Sequence, residues 1–483
     1  MIDIIDKFTI DNSKTVIVSD NHTISYSDIY LKIKKLEYKF KKLNLKEGDR
    51  VLIQSTDIAN TMALFYATQV LGLVFIPIDI EYKDDILTTI VELVEPQYIL
   101  DNQKIELILN SVDSSNIESG FNRLNLDDDR LSVILFTSGT TGKPKGIMLS
   151  NKSIYSSARV VIDSYKWDRD DIILNLADIH TMSGLRNTLI APLLSNSILI
   201  KFDREKLYNF IGIVELILEY KATILLTSPV VIKQLNIFNK KINRADISSL
   251  KYIMTTGNYL SKNDRDDFLD SYSIPIYNYY GLTETAGVCI GFTPKDKDID
   301  SEYMGYPLGS EIDIIDRDNN SLGENSIGRL KIKNSGMIGY YKNKKLTQNT
   351  LIDGWFYTQD LVLKSFDNKI KLIGRVDNAF NSEYTELIYP EEIESIINLD
   401  KRVLESCVFE FKSKLNMSKI GVAIVLVNEI RDKVTFNKSI NELIERKLGK
   451  RKMVSNIWIV DDLPKGNYGK LKREKIKKRY EVD

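Results

Sequence analysis

The opening third of the chain alternates two textures. The stretch YSDIYLKIKKLEYKFKKL (26–43) repeats apolar residues at helical spacing, while RVLIQS (50–55) and FIPIDI (75–80) are short β-branched runs. This alternation predicts α/β units with largely parallel strands. From about 150 to 290 the theme returns, with strands ATILLTS (222–228) and LKYIMTTG (250–257) between amphipathic helices. The longest apolar run, ALFYATQVLGLVFIPIDI (63–80), is interrupted by Gln69, Gly72 and Pro77. It reads as a buried helix feeding a buried strand, not a membrane span.

Between about 300 and 375 the pattern changes to strand and turn. GRLKIKNSG, GWFYTQDLVLKS and NKIKLIG are separated by Gly, Asp and Asn, which predicts a small antiparallel β-subdomain. Beyond it YPEEIESIINL is helical, and KIGVAIVLV and SNIWIV are strands. The expected architecture is therefore α/β. A large N-terminal domain (1–374) has mixed, mostly parallel sheets flanked by helices plus the β-subdomain, and a small α+β C-terminal domain covers 375–483.

Length agrees, since 483 residues exceed what one core usually serves. With 66 basic against 67 acidic residues, the chain has no global charge commitment to nucleic acid or an anionic membrane. Its two cysteines, Cys289 and Cys407, lack metal-like spacing, and MIDIIDKFTIDNSK has no long apolar core; a reduced, cytoplasmic protein is expected. The tail from Asn441 is basic, with 13 Lys or Arg against 7 Asp or Glu. It is either a solvated helical surface or a face for an acidic partner.

The strand LSVILF runs directly into TSGTTGKPKGIMLS (137–150), a loop dense in glycine and small hydroxyl residues. Glycine lacks the Cβ that would keep a phosphate from the backbone N–H groups. Pro144 after Gly142-Lys143 excludes a Walker A loop, which ends Gly-Lys-Ser/Thr. TSGTTGKPKG instead resembles the phosphate-binding signature of the adenylate-forming superfamily of acyl-CoA synthetases, peptide-synthetase adenylation domains and luciferases. The resemblance implies that Thr137, Ser138, Gly139, Thr140, Thr141 and Lys145 contact ATP phosphates.

Further motifs follow in order. VLGLVFIPID (70–79) resembles an early motif that packs the core without a catalytic task. YNYYGLTETAG (277–287) resembles the adenine and magnesium motif: Tyr280 would stack on adenine, with Asn278, Tyr279 and Gly281 around the base. Thr283 would meet the α-phosphate, and Glu284 would hold Mg2+, a hard cation that prefers oxygen ligands. Gly257 and Asn258 match the segment bordering adenine and the acyl pocket. GWFYTQDL (354–361) resembles the ribose motif, where the Asp360 carboxylate can accept from two neighbouring hydroxyls; Gln359 stands where the family usually has Gly. Arg375 would reach ribose or phosphate, and Asp377 resembles the hinge about which a mobile C-terminal domain swings. LPKGNYGKLKR (463–473) resembles the catalytic-lysine motif, in which Lys470 would bridge the attacking carboxylate and the α-phosphate.

ADIHTMSGL (177–185) resembles the substrate-pocket motif, implying an acyl site of His180, Thr181, Gly184 and Gly257. Thr181 replaces the Asp by which peptide-synthetase domains bind an ammonium, which argues against an α-amino acid. The segment NAFNSEYTELIYPEEIE (378–394) departs from the family, having no glycine between Gly374 and Gly421 in the loop that borders the thiol tunnel. The implied chemistry uses ATP and Mg2+ to convert a carboxylic acid to acyl-AMP with release of pyrophosphate. Transfer to a phosphopantetheine thiol follows, on a carrier protein or CoA. A ligase using free CoA alone and a catalytically silent ATP-binding homologue remain alternatives. No nucleic acid and no membrane span enter the expectation.

Overall fold

The computed structural model describes residues 7–8, 13–19, 22–82, 84–117, 126, 128–138, 144–202, 210–239, 242, 244–258, 260–300, 302–382, 387–413, 417–465 and 471–480. The expected helix forms over Tyr26–Lys42, started by a capping box in which Ser25 and Asp28 satisfy each other's backbone N–H groups. The apolar run 63–80 divides as its pattern required. Helix Ile58–Val70 is buried from Ala59 to Gln69, and strand Val74–Pro77 is wholly buried.

Two large sheets carry the N-terminal part. One has six strands, in the order 339–340, 144–150, 131–138, 74–77, 50–54, 98–101; the last four are parallel. The other has nine, in the order 306–307, 287–291, 276–282, 252–255, 224–227, 172–175, 198–200, 15–19, 22–25. Its central strands are parallel and its outermost pairs antiparallel. A large apolar core draws on both sheets, including Val51 and Phe75 from one and Ile173 and Met254 from the other. Strands buried on both faces explain the continuous apolar runs.

The expected antiparallel subdomain is present: 311–315, 326–333, 355–364 and 351–352 form a path, with 370–375 paired to 355–364. After the short turn Val376–Asn378 the chain builds a three-stranded sheet from 403–412, 418–426 and 456–459, with apolar clusters of its own. This C-terminal part meets helices Pro229–Ile237 and Lys262–Tyr272 through polar contacts. Asn263 Nδ2 donates to the Leu399 carbonyl at 2.7 Å, Lys401 pairs with Asp267 at 3.1 Å, and Lys233 donates to the Val403 carbonyl at 3.3 Å and to that of Leu404. Among the described residues no helix is long and apolar enough to cross a membrane.

Candidate active site

The residues on either side of the phosphate-loop sequence belong to two paired strands. Strands Leu131–Ser138 and Pro144–Ser150 pair with Thr137 opposite Lys145 and Ser138 opposite Pro144. The apolar residues Val133–Phe136 anchor the first strand in the core, and Thr137 and Lys145 are half-buried where it emerges. Gly139, Thr140 and Thr141 lie outside the described residues.

Strand Ile276–Leu282 separates two adjacent tyrosines by its alternation. Tyr280 Oη donates to Asp360 Oδ2, and Arg375 Nη1 donates to the other carboxylate oxygen at 3.0 Å. Register creates this meeting, since Asp360 stands directly opposite Arg375 in the antiparallel pair. Asp360 is almost fully buried, and its N–H donates to Thr358 Oγ1 at 3.0 Å. Burial pushes the Tyr280 hydroxyl well above the usual range, and the Asp360 charge adds to it. For Arg375 burial acts downward, but Asp360 and Asp377 outweigh it and hold the guanidinium more firmly charged. Asp377 accepts from Arg375 Nη2 at 3.3 Å and lies exposed in the short turn.

Tyr279 does not fit its expected place beside a base. Its ring is buried on the opposite face, where Oη accepts from Arg186 Nη2 at 3.0 Å and shares a hydrogen bond with Ser183 Oγ at 3.0 Å. Its backbone carbonyl accepts from Thr256 Oγ1 at 3.0 Å. Asn278 Oδ1 accepts from Thr255 Oγ1 at 3.0 Å across the neighbouring strand. Next comes Gly257, with φ +90° and open space where a Cβ would stand, followed by half-buried Asn258. Gly281 admits no side chain, because its Cβ would lie 2.2 Å from the Gly287 carbonyl.

Glu284 sits in the turn between strands 276–282 and 287–291, with Thr283 half-buried beside it. Its Oε1 accepts from Tyr340 Oη at 3.0 Å. Tyr340 is opposite Ile147 on the strand leaving the phosphate hairpin, so this hydrogen bond joins two of the sequence motifs. Burial, then the neighbouring Glu284 charge, raise the Tyr340 hydroxyl. Tyr340 was not foreseen; GYY after a glycine turn carries no signal that it will reach a carboxylate 56 residues away. Among the described residues no three metal-ligating side chains cluster. A single carboxylate nevertheless fits Mg2+, which is commonly held by one or two carboxylates, substrate phosphates and water.

His180 is buried, with Nε2 3.4 Å from Asp79 Oδ2. Desolvation lowers it to about 4, with Asp79 pulling in the opposite direction. Asp79 ends the early motif expected only to pack the core, so that motif also positions the histidine. A cavity of about 70 Å³ is bordered by His180 with Ile53, Ser55, Pro77, Asn175 and Phe202. Thr181 and Gly184 serve the turn beside it. The Thr181 hydroxyl donates to the Asp178 carbonyl at 2.7 Å and accepts from Gly184 N at 3.0 Å, and Thr181 does not border the His180 cavity. A Cβ on Gly184 would lie 1.9 Å from the Asp178 carbonyl oxygen. Gly257 does not border the His180 cavity.

Lys470 lies outside the described residues. On its flanks, Lys465 pairs with Glu405 at 2.7 Å and bridges to Leu471. Arg473 is clamped by Glu394, the Val408 carbonyl and Glu391 at 3.3 Å. Several tail cations thus have carboxylate partners inside the C-terminal part, including Lys452 with Glu392 at 2.6 Å and Lys477 with Glu410 at 2.9 Å. The atypical segment pairs Phe380–Asn381 with Leu387–Ile388, and its residues 383–386 are outside the described set.

The AMP-binding enzyme family matches residues 9–341, and the AMP-binding enzyme C-terminal domain matches 392–470. The chain belongs to the AMP-binding enzyme family. The resemblance to adenylate-forming proteins is thereby borne out. This AMP-binding enzyme is 25% identical over 363 residues to 4-coumarate--CoA ligase 3 of Oryza sativa, a match covering 73% of the chain and 64% of the relative. It is 24% identical over 482 residues to 2-succinylbenzoate--CoA ligase of Oceanobacillus iheyensis, covering 97% and 96%. In fold it is similar to a benzoate CoA ligase from Burkholderia xenovorans, with TM-score 0.88, 17% identity and coverage of 99% and 100%. ATP-bound MatB from Rhodopseudomonas palustris gives 0.87, 22%, and 99% and 98%.

Proposed function

We propose that this AMP-binding enzyme is an acid–thiol ligase, which uses ATP to form an acyl-AMP and then passes the acyl group to a phosphopantetheine thiol. The observation that carries this reading is the meeting of Tyr280, Asp360 and Arg375, which unites three distant motifs in one buried polar group. Opening of the Tyr280–Asp360 hydrogen bond would give adenine a ring to stack on, and ribose a carboxylate that accepts from two hydroxyls. Arg375 orients that carboxylate.

In the first step, an oxygen of the bound carboxylate attacks the α-phosphorus and pyrophosphate leaves in line. Thr283, Lys145 and the 137–141 loop would position the phosphates, and Lys470 would meet charge as it grows between carboxylate and α-phosphate. Glu284, held by Tyr340, would be the protein ligand of a magnesium ion, which would supply Lewis-acid charge neutralisation when bound. His180 stays neutral beside Asp79 and would line the entry of the acid. In the second step the part beyond Arg375 would turn about Asp377, withdraw Lys470 and admit the thiol, so that residues 1–374 and 375–483 act as two bodies. The relatives' names specify CoA, which supports CoA as the acceptor.

Acid-dependent ATP–pyrophosphate exchange, run across fatty, aryl and amino acids, tests the first step. No exchange with any acid, in protein shown to be folded, would favour the silent homologue. Mass spectrometry of products with free CoA against holo carrier protein then decides the acceptor.

A further inference from the structure

Arg186 is the largest fully buried side chain, with no measurable exposure. A guanidinium stays charged in proteins, and removing such a charge from water is costly unless an anion meets it. Here its partners are all neutral: Asn187 Oδ1 at 2.8 Å, Ser157 Oγ at 3.2 Å and Tyr279 Oη at 3.0 Å. Among the described residues it has no carboxylate within ion-pair distance, and stacking over the Tyr279 ring at 5.6 Å offers only partial compensation. Those bonds use one N–H on each terminal nitrogen. A second N–H remains on each, the number a carboxylate can accept.

The surroundings are shaped for this cation. Gly287 borders it so closely that a Cβ would lie 2.3 Å from Arg186 Nη1. Arg186 belongs to the π-helical stretch Leu185–Ile190, an uncommon geometry that concentrates at functional sites. The stretch follows the turn that carries His180, and Arg186 is tied to Tyr279, the neighbour of Tyr280. Half-buried Ser183 is the outermost member of the cluster, 3.0 Å from Tyr279 Oη and 3.1 Å from Asn187 Nδ2.

We infer that Arg186 receives a second anionic group of the acid, entering past Ser183, and that the substrate is a dicarboxylic acid of which one carboxylate is activated. This rests on the acid–thiol ligase reading and adds a substrate class to it. The test is pyrophosphate exchange with matched pairs: succinate against butyrate, glutarate against valerate, and an aryl dicarboxylate against benzoate. The wild type should prefer a diacid by at least about 100-fold in kcat/KM, as sites built around a buried polar partner do. Arg186→Gln should erase that preference through the KM for the diacid and leave the KM for ATP unchanged, while Arg186→Lys keeps part of it. Preference for monoacids in the wild type, or an equal loss on both classes in Arg186→Gln, overturns the proposal and leaves the ligase reading standing. If no acid supports exchange, calorimetry of the diacids with AMP present separates the two ideas. Diacid binding lost in Arg186→Gln keeps the assignment and removes the ligase reading; no diacid binding removes both.

Discussion

Asp360 is positioned by two donors on its carboxylate, so changes here act on orientation as well as charge. Asp360→Ala should reduce kcat/KM for ATP by about 100-fold, with a smaller effect on the KM for the acid, since a truncated partner leaves Arg375 half-buried without its principal anion. Steady-state exchange kinetics check this. His180 gives a pH prediction of definite sign. Burial lowers it to about 4 from the ordinary 6.5, so the unfolded chain binds the proton more readily. The stabilising contribution is therefore present above pH 6.5 and lost as pH falls towards 4, on the order of 3 kcal/mol in total. Urea unfolding of the wild type and His180→Asn across this window should give the steeper loss for the wild type; parallel curves would refute it. His180 was legible in the sequence as a pocket residue. Asp79, Tyr340 and Arg186 were not, because each gains its meaning from a partner far along the chain, and nothing local marks an Asp, Tyr or Arg as its counterpart.

At the scale of elements, two devices hold the site's supports. The turn at 178–184 depends on Gly184, where a Cβ would overlap a backbone carbonyl that has nowhere to move. Gly184→Ala should cost about 3 kcal/mol or more and raise the KM for the acid by displacing His180, measured by thermal melting beside kinetics. In the C-terminal part, helix Arg473–Tyr480 is fastened by Arg473 to Glu394 of helix Pro390–Ile397. Burial raises Glu394, and Arg473 opposes that shift, so each group depends on the other. Glu394→Ala should destabilise this part by about 3–5 kcal/mol. Fluorescence of Trp458, which stacks on Phe409 and Tyr480, reports it in a background lacking Trp167 and Trp355. Element type was readable throughout because helical and strand periodicities differ and Gly, Asn and Asp mark the turns. The two-faced strand Ile276–Leu282 showed the limit. YNYYG placed the adjacent Tyr279 and Tyr280 in one motif, but alternation sends Tyr280 to Asp360 and Tyr279 to Arg186.

On the scale of the whole molecule, the C-terminal part is held against helices 229–237 and 262–272 by a few polar contacts. Such an interface suits a part that must move, because polar contacts exchange readily with water. Lys233→Ala with Asn263→Ala should slow one half-reaction by about tenfold and spare the other, as loosening one of two arrangements would do. Pyrophosphate exchange and single-turnover thiolysis of preformed acyl-AMP separate the two, and an equal loss in both would count against this. The sequence by itself determined the element order, the change from parallel to antiparallel sheet near residue 300, and the family, because periodicity and contiguous motifs are local properties of a chain. Tertiary structure alone decided that Asp360 faces Arg375 and Tyr280, that Glu284 is tied to the phosphate hairpin, and that Arg186 is buried without an anion. Those depend on strand register and on which face is covered, and both are settled only when distant segments pack.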